Sequence, residues 1–424
     1  MEFFRDEIMP FVYLTCLYDG KCKSGCFSLN LLTQLCRENA AKNAVIPRVL
    51  LRGSQNHPDA DSLAAAMDEL HCASIIPTAR KLGEIQAIGL LASFTDDGSA
   101  GDTSVTEKII ELTCEILLSP NTRGGLFLPQ YVTEEKDRLV DDIDSEYNDI
   151  RTYASRRLIE QMCSCEDYAV PAVGGESEAE NIYYRTLTKH YKNLLLTSPI
   201  EIFYRGNVPS EKVADVLRTS LLNLPRGEID LDIGTEIRMN TVDEDIRRFE
   251  EEADSRQSVL EIGFRMGECM DTASCAELTV FAELVNHKLV GRLRDELGLC
   301  RDVSCCLHRQ KGILEVSCDI APEKRDEAEN EVLSVLDTLR SGGFSDDDVS
   351  VAREKVRAAL EALPGDCPAL ENYWLEQNTE GMECSPSELA ALTEDVTREH
   401  LIAVADTVVC DAVYFLRGSA DDAD

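Results

Sequence analysis

The feature that most constrains the fold of this chain is an internal repeat. The segment SPIEIFYRGN forms a short apolar stretch that ends in Arg205 and Gly206. Close to the C-terminus, the segment DAVYFLRGS repeats this pattern and ends in Arg417 and Gly418. Self-similarity at a long, fixed spacing is typical of a chain built from two related halves.

Two further pairs of segments repeat in the same order. RGGLFLPQYVTEEKDRLV begins at Arg123 and resembles SGGFSDDDVSVAREKVRAAL, which begins at Ser341. KLGEIQAIGLLASF begins at Lys81 and resembles QKGILEVSCDI, which begins at Gln310. The offsets of the three pairs are 212, 218 and 229 residues, so the order and the spacing both predict two similar halves.

Each half combines strand and helix patterns. YLTCLYDG and CFSLNLL are predicted to form a pair of strands, whereas ADSLAAAMDELH has the periodicity of an amphipathic helix. We therefore predict an α+β fold with two structurally similar lobes, each an antiparallel sheet packed on long helices. The predicted boundaries are residues 1–228 for the first lobe, 229–246 for an acidic linker and 247–424 for the second lobe.

A long helical stretch is predicted in the first lobe, over VTEEKDRLVDDIDSEYNDIRTYASRRLIEQM. Thr133 is a good N-cap residue, and acidic residues follow it immediately. The segment from Pro225, PRGEIDLDIGTEIRMNTVDEDIRRFEEEADSRQ, lacks a strong period and is interpreted as the linker region.

The net charge of −37 limits the possible partners. It comes from 79 acidic and 42 basic residues, and such a field repels nucleic acids and anionic lipids but attracts basic peptides. The simpler interpretation of the charge is a solvated acidic surface that aids solubility. No apolar stretch is long enough to span a membrane, and the N-terminus lacks the pattern of a signal peptide. The 17 cysteines have no framework spacing, so we expect reduced thiols in a bacterial cytoplasm.

The cysteines and histidines provide no recognisable metal motif. Cys22 and Cys26 lie in CKSGC, but their spacing to the neighbouring cysteines is not a known ligand set, and packing alone explains small apolar thiols. No two of the six histidines lie three or four residues apart. We therefore expect no metal and no cofactor, and we interpret the histidines as structural residues.

Three stretches carry a resemblance to a known family. They are LLRGSQNHPDADSLAAAMDELHCASI, TEEKDRLVDDIDSEYND and NHKLVGRLRDELGLCRDVSC. In this order, they resemble segments of the insulinase, pitrilysin and mitochondrial-processing-peptidase family. The resemblance implies two lobes that close like a clamshell and a chemistry of zinc-dependent peptide hydrolysis.

In this family, zinc is held by an H-x-x-E-H motif before a Gly-Ser or Gly-Thr turn and by a distant glutamate. The resemblance places the two histidine positions at Ala44 and Arg48, the glutamate base at Pro47 and the distant ligand at Asp142. Zinc requires imidazole, thiolate or carboxylate ligands, and alanine, proline and arginine supply none. Pro47 also predicts a disturbed helix at this point. We therefore predict that the zinc site is degenerate and that no residue is catalytic.

The family also uses an arginine and a tyrosine of the second lobe to hold the substrate backbone. The arginine corresponds to Arg294, and the tyrosine position holds Arg301. The two form a candidate peptide-binding pair. The alternative interpretation is ordinary surface charge that pairs with neighbouring acidic residues.

The resemblance implies a catalytically inactive homologue that is not a peptidase by itself. The leading hypothesis is a non-zinc partner subunit that forms a heterodimer with a zinc-bearing homologue and helps to enclose peptide substrates. A second hypothesis is a stand-alone, homodimeric peptide-binding or scaffold protein in a peptide-maturation or modification pathway. An active zinc peptidase with an unusual site is the third and would require bound metal.

Overall fold

A computed structural model of the chain describes residues 2–97, 104–241, 245–267, 269 and 271–419. The described residues form two compact units, and each unit takes segments from both halves of the sequence. The first contains Met1–Asp144, Val170–Gly234 and Pro364–Thr379, and the second contains Ser145–Ala169, Thr235–Leu363 and Glu380–Asp424.

The first unit is organised around a six-stranded sheet. The strands are β1 (Glu2–Met9), β2 (Val12–Tyr18), β3 (Ser24–Gln34), β4 (Ser74–Leu82), β5 (Ile85–Thr95) and β8 (Ile200–Gly206). Their order in the sheet is β1-β2-β8-β3-β5-β4. All neighbours are antiparallel except β2 and β8, which run parallel. A short hairpin of β6 (Thr122–Arg123) and β7 (Leu126–Phe127) lies outside this sheet.

Helices bury one large apolar core against this sheet. Those of the first unit are α1 (Arg37–Leu50), α2 (Ala60–Glu69), α3 (Val105–Leu118), α4 (Pro129–Ser145), α6 (Glu176–Glu180), α7 (Tyr184–Thr197) and α8 (Ser210–Ser220). The core draws on α1, α3, α4 and α7 and on the buried sides of the central strands. Burial of this apolar surface is the main force that holds α1, and the site it carries, against the sheet.

The second unit has an equivalent arrangement around a five-stranded sheet. Its strands are β9 (Arg247–Ala253), β10 (Ser258–Arg265), β11 (Cys300–His308), β12 (Ile313–Ile320) and β13 (Val409–Gly418), in the order β11-β12-β10-β13-β9. Its helices include α5 (Ile150–Met162), α9 (Thr272–Leu289), α10 (Arg325–Arg340), α11 (Asp346–Ala362), α13 (Pro386–Leu392) and α14 (Arg398–Thr407). Helix α9 continues as a π-helical segment, Val290–Glu296.

The two halves contribute one helix each to the unit formed mainly by the other half. Helix α5 comes from the first half and packs on β10 and β13 of the second unit. Helix α12 (Cys367–Thr379) comes from the second half and packs on β3 and β8 of the first unit. Gly263 of β10 permits the close approach of α5, because a Cβ atom there would lie 2.6 Å from the sulfur of Met162.

A buried carboxylate fastens α12 to the first sheet. The side chain of Glu371 is 0 % exposed and accepts hydrogen bonds from Ser28 Oγ at 2.6 Å and Arg80 Nη2 at 2.9 Å. In the second unit, the fully buried Arg265 bonds Asp411 at 2.7 Å and Glu166, which follows α5, at 2.6 Å. Buried charges that are paired in this way fix one packing arrangement, because an unpaired partner would be costly.

The structure confirms the predicted α+β class and the repeat. The three repeated segment pairs correspond to β8 and β13, α4 and α11, and β5 and β12. The sheets are not fully antiparallel, however, because each contains one parallel pair: β2 with β8, and β9 with β13. The α5 and α12 segments cross the predicted domain boundaries, 1–228 and 247–424.

Strand β9 begins at Arg247, directly after the predicted linker 229–246, of which residues 242–244 lie outside the described part of the chain. Three local predictions were wrong. The predicted strand pair, β2 and β3, is separated by β8. The predicted long helix is two helices that meet near Asp149, which caps α5 through the amides of Arg151 and Thr152, and Thr133 lies inside α4 rather than at its start.

The third concerns Pro47, which lies inside α1 without ending it. Proline removes one amide donor, but α1 is buried along most of its length, and the packing holds the helix past this residue. Within the described ranges, no helix is both long and apolar enough to cross a membrane.

Candidate functional site

A tight turn after α1 fixes the position of the candidate site. Gly53 has φ +148°, and a Cβ atom there would lie 2.8 Å from the carbonyl group of Pro58. Ser54 is fully buried; its amide donates to the carbonyl oxygen of His57 at 2.6 Å, and its hydroxyl bonds Glu115. The Gly-Ser turn from which the zinc-motif positions are counted is therefore an anchored structural feature.

The three motif positions lie on the C-terminal part of α1. Ala44 and Pro47 are buried, and neither can bind a cation through its side chain. The side chain of Arg48 is 24 % exposed and extends towards α4. A neutral methyl group, a proline ring and a guanidinium thus lie at the positions that the resemblance assigns to two imidazoles and a carboxylate.

Arg48 is paired directly with Asp142, the position of the distant zinc ligand. The distance between Arg48 Nη1 and Asp142 Oδ2 is 2.6 Å, and the Asp142 side chain is 61 % exposed. The guanidinium therefore neutralises the carboxylate that a metal ion would need. A charge-assisted contact of this length is a good hydrogen bond, and a positive side chain at this place also repels a divalent cation.

A second arginine continues this contact one helical turn further on. Arg52 Nη2 lies 2.5 Å from Glu134 Oε2, and Arg52 Nη1 lies 3.1 Å from Glu135 Oε1. The guanidinium of Arg52 also stacks over the ring of Tyr131, at 5.1 Å from its centre. Glu135 is buried and receives a further hydrogen bond from Arg138 at 2.7 Å. We call Arg48, Arg52, Glu134, Glu135 and Asp142 the arginine–carboxylate ladder.

The ladder is what the sequence reasoning missed. Arg48 lies on α1 and Arg52 lies two residues beyond its end, whereas Glu135 and Asp142 are seven residues apart on α4. Residues seven apart on a helix share a face, so the carboxylates of Glu135 and Asp142 were a readable signal for a row of basic partners.

The residues present do not fit a zinc ion. The ladder holds its carboxylates with guanidinium groups, and Ala44 and Pro47 offer no ligand atom. In the part of the chain that the structure describes, no group of three or more histidine, cysteine, aspartate or glutamate side chains could hold a metal ion. Activation of water by a metal at this place is therefore not supported by the chemistry of the side chains.

The histidine that the structure places beside α1 is structural in character. His190 Nε2 lies 2.6 Å from Oδ1 of Asn43, and Asn43 in turn donates to Gln86 Oε1 at 2.7 Å. Burial of the ring and then the charge of Lys42 lower the pKa of His190 to about 4. His190 is therefore neutral near pH 7 and belongs to a polar network beneath the site.

The candidate peptide-binding arginines lie at the start of the β11 region of the second unit. Arg294 is in the π-helical segment, and its Nε lies 2.8 Å from Oδ1 of its neighbour Asp295. Arg301 is exposed and is the extra residue of a β-bulge, because Cys300 and Asp302 pair with successive residues of β12. Arg294 thus already has an acidic partner, and Arg301 presents its charge to solvent.

Comparisons with known proteins agree with this geometry. The profile of the family described as Peptidase M16 inactive domain matches residues 181–356. A Bacillus subtilis (strain 168) protein described as a probable inactive metalloprotease, YmfF, is 26 % identical over 406 residues, which is 94 % of each chain. A conserved protein of Enterococcus faecalis V583 has the same fold, with a TM-score of 0.87, 21 % identity and coverage of 99 % of this chain and 100 % of that one.

A longer structural relative is the periplasmic protease PqqL from Escherichia coli. Its TM-score is 0.73 at 12 % identity, and the match covers 99 % of this chain but 48 % of that protease. The fold, the repeat and the substituted motif together define a class, the inactive homologues of zinc peptidases with two similar α+β units. The family profile and the similarity to YmfF together support a non-catalytic member of the insulinase, or M16, peptidase family.

Proposed function

We propose that this chain is the non-catalytic subunit of a heteromeric peptidase, in which it pairs with a zinc-bearing homologue and helps to enclose peptide substrates. The observation that carries the proposal is the ion pair between Arg48 and Asp142, two positions that the resemblance assigns to zinc ligands. A chain without a means of activating water can still contribute substrate contacts if a second chain supplies the metal.

The match to PqqL is in line with this pairing. This chain matches 48 % of PqqL, so that protease has room in one polypeptide for two segments of this size, and the proposal places the second segment on a separate chain. Fold-level analogy alone does not establish a function, so the partner must be found experimentally.

Co-purification tests the pairing. The tagged chain is isolated from its native cell, and the bound proteins are identified by mass spectrometry. We expect a stoichiometric homologue with an H-x-x-E-H motif, and we expect the complex, but not this chain alone, to cleave peptides. A homodimer that binds peptides and retains no such homologue would instead support the stand-alone binding protein.

Peptide binding at a sheet edge would provide the substrate contacts. Strand β4 is an edge strand of the first unit, and it packs against α1, the helix that carries Ala44, Pro47 and Arg48. An edge strand leaves backbone groups free to pair with an extended peptide. Pro77 is tolerated in β4 because an edge strand does not use every amide. The net charge of −37 favours basic peptides, and this preference should weaken as salt is added.

A charge on the exposed side of β4 tests this mode of binding. Ile76 is 48 % exposed, and Ile76→Lys should weaken binding of a labelled basic peptide, because an edge lysine opposes strand addition. Leu222→Lys is the matched control, since Leu222 is also a large exposed apolar residue but lies in a turn. Equal affinities of the two variants would argue against β4 as the binding edge.

Arg294 and Arg301 remain candidate contacts for a peptide carbonyl or C-terminus. Arg301→Ala should reduce peptide affinity more than Arg294→Ala, because Arg294 is already paired with Asp295. Binding measured by fluorescence anisotropy would decide between the two interpretations. Unchanged affinity in both variants would assign both arginines to ordinary surface charge.

Localisation in a bacterial cytoplasm is part of the same proposal. All 17 cysteines lie in the described part of the chain and none forms a disulfide there, a state that a reducing compartment maintains. Cell fractionation with an antibody against the chain would test it, and recovery from the periplasm would contradict it.

A further inference from the structure

Two cysteines and an arginine from three different elements meet in the first unit. Cys26 of β3 lies directly opposite Arg205 of β8 in the register of the two strands. Cys367 is the first residue of α12, which packs on both strands. Arg205 Nη1 donates a hydrogen bond to the sulfur of Cys367 at 3.1 Å, and the thiol of Cys26 is hydrogen-bonded to the same sulfur.

The two thiols differ in their acidity. The hydrogen bond with Cys26 lowers the pKa of Cys367 most; burial opposes it, and the charge and hydrogen bond of Arg205 assist it, so that the pKa is about 6. The same hydrogen bond and then burial raise the pKa of Cys26 well above its usual value. The position of Cys367 at a helix start also favours its thiolate. Near pH 7 the pair is therefore a thiolate beside a thiol.

The two sulfurs also differ in their access to solvent. Cys26 is 0 % exposed, whereas Cys367 is partly exposed. A reactive, solvent-accessible thiolate with a second thiol in contact is the arrangement typical of redox-sensitive cysteine pairs. An oxidant can therefore reach Cys367 first, and Cys26 is in place for the second step.

We propose that Cys26 and Cys367 are a redox-active dithiol that hydroperoxides oxidise to a disulfide between β3 and α12. With hydrogen peroxide as the oxidant, the Cys367 thiolate attacks one peroxide oxygen. The O–O bond breaks, hydroxide leaves, and Cys367 becomes a sulfenic acid. The sulfur of Cys26 then attacks the sulfur of Cys367, its proton and the sulfenic hydroxyl leave as water, and the S–S bond forms.

This disulfide would attach α12 covalently to the sheet on which it packs. It closes a very long loop of the chain, so we expect the oxidised protein to unfold at a higher temperature than the reduced protein. Arg205, at the end of the first repeated segment, would then stabilise the thiolate of Cys367. The equivalent Arg417 has no such function, because it pairs with Glu250 instead.

A second pair in the chain provides an internal comparison. In the second unit, Arg309 Nη1 donates to the sulfur of Cys275 at 3.2 Å, and Cys275 is hydrogen-bonded to Cys269. The pKa of Cys275 is likewise lowered, chiefly by Cys269, but Cys275 is only 1 % exposed. Because its thiolate is shielded from solvent, we expect this pair to oxidise more slowly than Cys26 and Cys367.

The experiment treats the full-length reduced protein with substoichiometric hydrogen peroxide at pH 7 and alkylates the remaining thiols. Peptide mapping should show a Cys26–Cys367 disulfide before any other, with the intact mass lower by two hydrogen atoms. In Cys26→Ser, a sulfenic acid probe should instead label Cys367 and no disulfide should form. Cys72→Ser, which removes an exposed cysteine, should behave as the wild type.

The Arg205→Gln variant tests the activation of the Cys367 thiolate separately from the proximity of the Cys26 and Cys367 sulfurs. Loss of the guanidinium should slow the alkylation of Cys367 about tenfold at pH 7, because a smaller fraction is thiolate. Circular dichroism checks that each variant is folded, and Arg218→Gln serves as a surface control. The proposal is overturned if Cys367 reacts no faster than Cys72, or if Cys367 pairs with Cys22 rather than Cys26.

Discussion

At the scale of single residues, the degenerate site is better described by what replaced the zinc ligands than by what is missing. Arg48, on α1, bonds Asp142, and Arg52, just beyond the end of α1, bonds Glu134 and Glu135. Guanidinium groups therefore hold the carboxylates of α4. The resemblance in the sequence located Ala44, Pro47, Arg48 and Asp142. It could not show the ion pair between two of them, because side-chain pairing depends on how two helices pack.

The two arginines of the ladder should differ in their contribution to stability. Arg48→Ala leaves an exposed carboxylate, so its cost should stay below about 1 kcal/mol. Arg52→Ala removes a partner from the buried Glu135 and should cost about 2 kcal/mol. Urea unfolding of both variants measures the difference. A larger loss for Arg48→Ala than for Arg52→Ala would contradict the burial argument.

His190 should make the protein less stable in mild acid. Its folded-state pKa, about 4, lies below the unfolded value of about 6.5, so the unfolded chain binds the proton first as the pH falls. This contribution to stability is complete above pH 6.5 and is lost towards pH 4. Between pH 7 and pH 5, the wild type should lose roughly 2 kcal/mol relative to His190→Gln.

The measurement is chemical denaturation of both proteins at several pH values. His190→Gln can retain a hydrogen bond to Asn43, so the comparison isolates titration from packing. A parallel decline of the two stability curves would show that His190 does not titrate below its unfolded value.

At the scale of elements, the helix and strand types followed from local sequence patterns. The errors arose where tertiary packing determined the extent or the position of an element. The repeated segments correctly located β8 and β13, and Ser345 caps the start of α11 by accepting a hydrogen bond from the amide of Asp348. The helix α1 passes through Pro47 because its buried face holds it, and β9 forms from an acidic segment because β13 offers a free edge. Neither cause is visible in a local stretch of sequence.

The anchor of α12 should be among the most sensitive positions of the first unit. Glu371→Ala leaves the Arg80 guanidinium without its buried carboxylate, so we expect a loss of about 3–5 kcal/mol in the free energy of unfolding. Glu361→Ala, at an exposed position of α11, should change stability by less than about 0.5 kcal/mol. Similar denaturation midpoints for the two variants would mean that Glu371 is not an anchor.

At the scale of the whole molecule, the repeat predicted two similar halves but not the exchange of α5 and α12 between the units. The pattern of each helix shows that it must bury an apolar face, yet it does not say which sheet will cover that face. Contacts with residues distant in the sequence reveal the packing roles of Gly263, Glu371 and Arg265, and only the structure shows these contacts. The internal repeat predicted the number of lobes, and tertiary packing determined the path of the chain between them.

The Arg48–Asp142 pair lies at two positions that the resemblance assigns to zinc ligands, and we infer that it leaves no zinc site there. The zinc content of the native protein after dialysis against a weak chelator tests this, measured by elemental analysis for the wild type and for Asp142→Ala. We expect the two proteins to hold the same amount of zinc, and we expect neither to hydrolyse peptides alone. One zinc per chain that disappears in Asp142→Ala, together with chelator-sensitive cleavage by the wild type, would contradict it.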